Sequence, residues 1–184
     1  MCQCPVCKAL DAGSFGQALA RVADRALLIE LACDFAEHVA CLTPEPVQAK
    51  SWLEATRDWN DNPKAAAEAA QSSCSATLGW KTKAAATRES VNWATCWALS
   101  AVECATEALT ADETWTARAV KNVADWACSA KGWKPGISQP VAASAPERAW
   151  QKEQVRRLAC ERVLAQPAQS ISNDSRSRKS LLAK

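Results

Sequence analysis

The sequence predicts an all-α protein: an irregular helical bundle of about six helices, with a Cys-rich N-terminal arm and a basic C-terminal tail. Three observations carry that expectation. Thirty-nine alanines and nine tryptophans, with no tyrosine, lie in segments whose apolar residues recur at steps of three and four. Prolines, glycines and short polar clusters punctuate those segments where helices start and stop. The length of 184 residues suits one domain with a core large enough to fold without disulfides. A helical-repeat solenoid needs three or more repeats, and only the fourth and fifth segments look alike.

The arm, residues 1 to 13, ends in the turn cluster Asp11-Ala12-Gly13-Ser14, which caps a short helix starting near Phe15. The first long helix covers about residues 24 to 42 and carries Leu28, Leu31, Ala32, Phe35, Val39 and Leu42 on one face. Thr43-Pro44-Glu45-Pro46 closes it and opens a second helix to about Trp59, buried through Ala49, Trp52, Leu53 and Thr56. Asn60-Asp61-Asn62-Pro63 starts a third, expected to run toward Leu78 and stop near Gly79. The fourth, about residues 84 to 108, is apolar or small on nearly every side and so belongs at the centre, with Trp93, Trp97, Ala101, Cys104 and Ala108 along one ridge. The fifth, about residues 112 to 133, repeats large and small residues as Trp115, Ala119, Val123, Trp126, Ala130 and Trp133, a pattern that lets helices interdigitate closely. A Pro/Ser/Ala linker leads to the sixth, from Pro146 to about Ala165, buried through Trp150, Val155, Leu158, Ala159 and Val163. Residues 167 to 184 are Ser-rich and cationic, with too little apolar content to pack alone. The expected organisation is thus an arm over 1–13, a helical bundle domain over 14–166 and a tail over 167–184.

Net charge is +2, so no global field points to nucleic acid, membrane or an acidic substrate. The basic residues concentrate late, nine Lys/Arg against four Asp/Glu after residue 145. No run approaches the roughly 18 apolar residues of a membrane span. The start, Met1-Cys2-Gln3-Cys4, lacks the apolar core of a secretion signal, so the expectation is a cytoplasmic chain whose ten cysteines are mostly reduced. Cys33, Cys74, Cys96, Cys104, Cys128 and Cys160 sit among alanines and read as small core residues.

Catalytic constellations are absent from the sequence. Five glycines form no phosphate loop, no nucleophile elbow occurs, and near the sole imidazole, His38, Cys33 lies on a different side of the helix and neither Cys33 nor Cys41 is evidently activated. An enzyme is not expected. Metal chemistry has more support. Cys4-Pro5-Val6-Cys7 has the two-residue gap that lets two thiolates grip one zinc, with Cys2 as a substitute ligand. His38 and Cys41, three apart on a helix, point the same way and complete an expected Cys3His zinc site. The plainer alternative is no cofactor, with His38 an ordinary helical histidine paired with Asp34.

A tryptophan stripe at helical spacing is usually core, so Trp52, Trp93, Trp97, Trp115 and Trp126 are expected to be mostly buried. Trp133 at a helix end and Trp150 after the linker are the two expected at a surface. Together with Arg148, Lys152, Arg156 and Arg157 they form the expected contact surface for another protein, one with an acidic face. A homo-oligomer is compatible with the same surface. The near-neutral charge argues against nucleic acid.

The run Leu31-Ala32-Cys33-Asp34-Phe35-Ala36-Glu37-His38-Val39, the following helix with Ala49, Leu53-Glu54-Ala55-Thr56-Arg57 and Trp59, the Ala-rich helix after it, and Glu147-Arg148-Ala149-Trp150-Gln151 with Arg157-Leu158 resemble a family of immunity proteins from bacterial and phage genomes. The resemblance spans about residues 24–158. It implies a small all-helical protein that neutralises a toxin by binding it, with no catalytic residues. The middle helices depart from the family pattern, carrying Trp93, Cys96, Trp97 and Cys104 where histidine and glycine are usual. The functional expectation is therefore a non-catalytic helical binding protein, an inhibitor of a toxin or effector or an accessory component of an assembly. The alternative is a helical protein in which zinc has a structural or regulatory role.

Overall fold

Helices begin where the sequence supplies a cap or a proline. The Asp24 carboxylate accepts the Leu27 N–H at 3.1 Å. Asn62 does the same for Ala65 at 3.2 Å, with Pro63 in the first turn where its missing N–H costs nothing. The computed structural model describes residues 4–87, 93–110, 113–133 and 144–165. Among them are eight helices and no strand: α1 (Pro5–Asp11), α2 (Phe15–Ala20), α3 (Arg25–Ala40), α4 (Pro46–Arg57), α5 (Pro63–Thr87), α6 (Trp93–Glu107), α7 (Glu113–Gly132) and α8 (Ala145–Ala165).

Three helices form the centre, with α3, α6 and α7 each packed on the other two. The contact faces explain why. α3 contributes Leu28, Leu31, Ala32, Phe35 and Val39, α6 contributes Ala98, Ala101, Val102 and Ala105, and α7 contributes Val120, Val123, Ala124 and Ala127. Alanine and valine on two of the three faces let backbones approach closely, so the larger side chains of α3 fill the remaining space. The α4–α5 pair covers one side of this triangle, and α1, α2 and α8 cover the other.

Buried polar groups tie these layers. Gln151 of α8 donates to the Ala124 carbonyl at 3.0 Å and accepts from the Cys128 thiol at 3.4 Å. The Ser73 and Thr106 hydroxyls meet at 2.7 Å between α5 and α6. The first pair of bonds links α8 to α7 and the hydroxyl contact links α5 to α6, so these buried polar groups are satisfied across helix boundaries.

Several sequence expectations need correction. Among the described residues there are eight helices rather than about six, because two short ones, Pro5–Asp11 and Phe15–Ala20, precede the six long segments. Val6, Cys7, Ala9 and Leu10 of α1 are buried, and Gly13, at φ +80°, makes the turn into α2 that a side chain would strain. Gly79 does not stop α5. It lies mid-helix with open space where a Cβ would be, and a single interior glycine, at about 1 kcal/mol, is affordable in a 25-residue helix.

The tryptophans are the largest correction. Of the five expected to be mostly buried, only Trp97 is, at 8% exposure; Trp93, Trp115 and Trp126 are exposed and Trp52 is half-buried. Of the α7 stripe, Val123 and Ala130 are buried while Trp115 and Trp126 fall on the flank of the core face, which is made by Val120, Val123, Ala124 and Ala127 against α3 and α6. Small residues take most of the core positions of α6 and α7, and of these five indoles only that of Trp97 is accommodated there. The tail over 167–184 and the substitute ligand Cys2 lie outside the described residues.

Candidate functional site

Three thiols from the two ends of the chain converge. Cys4 caps α1, Cys7 lies one turn further along the same helix, and Cys160 comes from α8. Their sulfurs all lie within 4.8 Å of one another, and Cys7 and Cys160 are 3.5 Å apart. The Cys7 backbone N–H donates to Cys4 Sγ at 3.4 Å. Arg156, one turn before Cys160, holds Asp11 of α1 at 2.8 Å and fixes the two helices together. Local spacing identified Cys4 and Cys7. The sequence around Cys160 marks it only as a core position, and no local signal links it to residues more than 150 positions away.

His38 and Cys41 are not part of this group. His38 Nδ1 lies 2.8 Å from Glu147 Oε2, and its ring stacks on Trp150 with centroids 4.0 Å apart. Glu147 is 4% exposed and is also approached by the Gln151 amide at 3.3 Å, so the imidazole is fixed by α8. Asp34, the partner read from helical spacing, instead binds Arg57 at 2.9 Å, together with Glu37 at 2.7 Å. Burial opposes the charge on Arg57, but those two hydrogen bonds outweigh it and push the guanidinium pKa above its usual value. Cys41 is exposed.

The expected partner surface is largely spoken for within the chain. Arg148 pairs with Asp125 and lies over the Phe15 ring at 4.7 Å. Arg156 binds Asp11 and Glu153, and Arg157 reaches Gln154 and Glu161. Trp150 is half-buried between His38 and the edge of Phe35, and Trp133 is half-buried against the core. Among the described residues Lys152 is the one of the four cations without an ion pair, and the Trp133 indole N–H is buried without a hydrogen-bond partner.

A different face is open. Trp115 and Trp126 of α7 are 54% and 37% exposed. Eleven residues apart, they stand on one ridge about 16 Å from each other, with Ala119 and Asn122 between them. A cleft of about 320 Å³ opens beside Trp115 toward Cys104, Glu107 and Thr110. Burial pushes the Cys104 thiol up to about 11, with the nearby carboxylates adding to the shift, while a hydrogen bond from Trp126 works against it. Burial and the neighbouring Glu103 carboxylate likewise raise the Glu107 pKa. Lys81 reaches Glu103 at 3.8 Å, whereas Glu107 has no ion pair among the described residues. Cys74 completes this acidic rim, its thiol pKa raised first by its hydrogen bond to Glu103.

No helix among the described residues is long and apolar enough to cross a membrane. No protein-family model matches the chain, and no curated protein or solved structure shows significant similarity to it.

Proposed function

We propose that the chain is a non-catalytic binding protein that receives a helix of a partner protein across α7, between Trp115 and Trp126. The observation that carries this is the exposure of two indoles on one ridge, with Ala119 and Asn122 between them and Arg118 laid over the Trp115 ring at 4.8 Å. Their spacing of about 16 Å brackets a helix about 10–12 Å in diameter. Tryptophans are the commonest interface anchors, and large exposed apolar side chains in a group mark contact sites. Glu103 and Glu107, two carboxylates beside Lys81, leave an excess of negative charge at this rim that favours a partner helix carrying Lys or Arg. This differs from the acidic partner expected from the sequence, because the α8 cations that motivated it are mostly paired within the chain. An immunity-like inhibitor is the binding protein to which the sequence resemblance points, and an accessory subunit would use the same surface. Against catalysis stands the use of the single imidazole as a packed partner of Glu147 and Trp150.

The test is capture from the native source with wild-type protein and with Trp115→Ala/Trp126→Ala, followed by calorimetric titration of the purified partner. The double variant should bind about 100-fold more weakly at unchanged helicity. Glu107→Gln should weaken binding less and flatten its salt dependence. Unaltered affinity in the double variant overturns the proposal, and loss on Lys152→Ala alone moves the surface to α8.

A further inference from the structure

We infer that Cys4, Cys7 and Cys160 form a binding site for one thiophilic divalent ion of the zinc class, which joins the first helix of the chain to the last. The inference is independent of the partner surface on α7. Tetrahedral zinc holds sulfur at about 2.3 Å, which sets neighbouring sulfurs about 3.8 Å apart. The three thiols already lie within 4.8 Å of one another, with one pair at 3.5 Å, so an ion at their centre needs side-chain shifts of well under an ångström at the closest pair. The cluster is three sulfurs with no carboxylate or carbonyl among them, a donor set that selects zinc over calcium or magnesium.

The local structure also fits the charged state. Binding requires thiolates, so three thiols each release a proton to solvent as three sulfur–metal bonds form, and the filled site carries one net negative charge. The Cys7 N–H, directed at Cys4 Sγ, is a donor of the kind that stabilises such sulfur. The ligand spacing divides the work. Cys4 and Cys7 form a local pair one helical turn apart, whereas Cys160 is supplied only when α8 has packed on α1. The ion therefore reads the docking of the two helices that Arg156 and Asp11 also hold together. The fourth position falls to water or to a ligand outside the described residues. A Cys7–Cys160 disulfide is the competing chemistry, since oxidation would consume two of the three thiols.

The experiment uses the full chain, purified without chelator and with a phosphine reductant throughout, then loaded with zinc and gel-filtered. About one equivalent of zinc should remain, and cobalt substitution should give the thiolate charge-transfer absorption of a tetrahedral site. Cys160→Ser and Cys4→Ser should each fall below a tenth of an equivalent, while Cys41→Ser retains the full amount. Chelation should lower the thermal midpoint of the wild type and leave that of Cys160→Ser unchanged. If Cys160→Ser loses helicity, Cys4→Ser at the half-buried cap supplies the same reading. Wild type holding less than a tenth of an equivalent overturns the inference, as does full retention by both variants. A wild-type mass two hydrogens light under reductant, placing a disulfide between Cys7 and Cys160, overturns it as well.

Discussion

Phe35→Ala should be among the most damaging single substitutions in this fold. The ring is fully buried on α3, 6.2 Å from Phe15 of α2 and 6.0 Å from Trp150 of α8, edge-on to the latter. Removing a buried phenylalanine costs about 3–5 kcal/mol, depending on how far the surroundings collapse. Here they are poorly placed to do so. Trp150 is pinned by its stack on His38, α8 by the Gln151 bond to the Ala124 carbonyl, and Phe15 by the Arg148 guanidinium above it. The cost should therefore fall in the upper half of the range, at about 4–5 kcal/mol. For a chain of this size each kcal/mol moves the midpoint by about 2–4 °C, which gives a drop of roughly 8–20 °C. Scanning calorimetry or helical circular dichroism reads it directly, with Val47→Ala, at an 85% exposed position, as a control expected to change little. A fall of less than about 3 °C for Phe35→Ala would show that the three rings do not form the packed joint between α2, α3 and α8.

Glu147→Ala should cost about 1–2 kcal/mol rather than the larger penalty of a fully buried pair, because His38 is 39% exposed and water can take up the freed imidazole; urea unfolding checks this, and a loss above about 4 kcal/mol would mean that solvent does not reach His38. In alkylation at pH 8 mapped by mass spectrometry, exposed Cys41 should react early. Cys33, whose thiol burial pushes up to about 12, should stay unmodified until the chain unfolds, and comparable rates at the two sites would refute that burial.

Much of the fold is written locally, and the misread parts are those decided at long range. Asp24, Pro46 and Pro63 mark helix starts by chemistry that operates within four residues, and each helix begins beside them. Gly79 misled because a helix held on both flanks by α4 and α6 tolerates a residue that an isolated helix would not. The tryptophans misled for a related reason. Periodicity identifies a face, but whether that face can admit an indole depends on the separation of helices that are distant in sequence. For the candidate site, Cys4 and Cys7 were legible as a pair, while Cys160 and Glu147 were not. Both reach their partners from α8, and nothing in the spacing around Cys160 or Glu147 identifies Cys7 or His38 as a neighbour.

The packing of α1 on α8 also sets a schedule for the newly made chain. Synthesis proceeds at about 5–20 residues per second, so the 153 positions between Cys7 and Cys160 take roughly 8–30 s to cross. For that interval α1 has emerged while α8, which packs on it in the folded chain, is still unmade. Translation errors or pauses late in the message would therefore leave the α8-facing sides of α1, α3 and α7 uncovered together, so truncated products lacking α8 should expose surface at both the beginning and the end of the remaining chain.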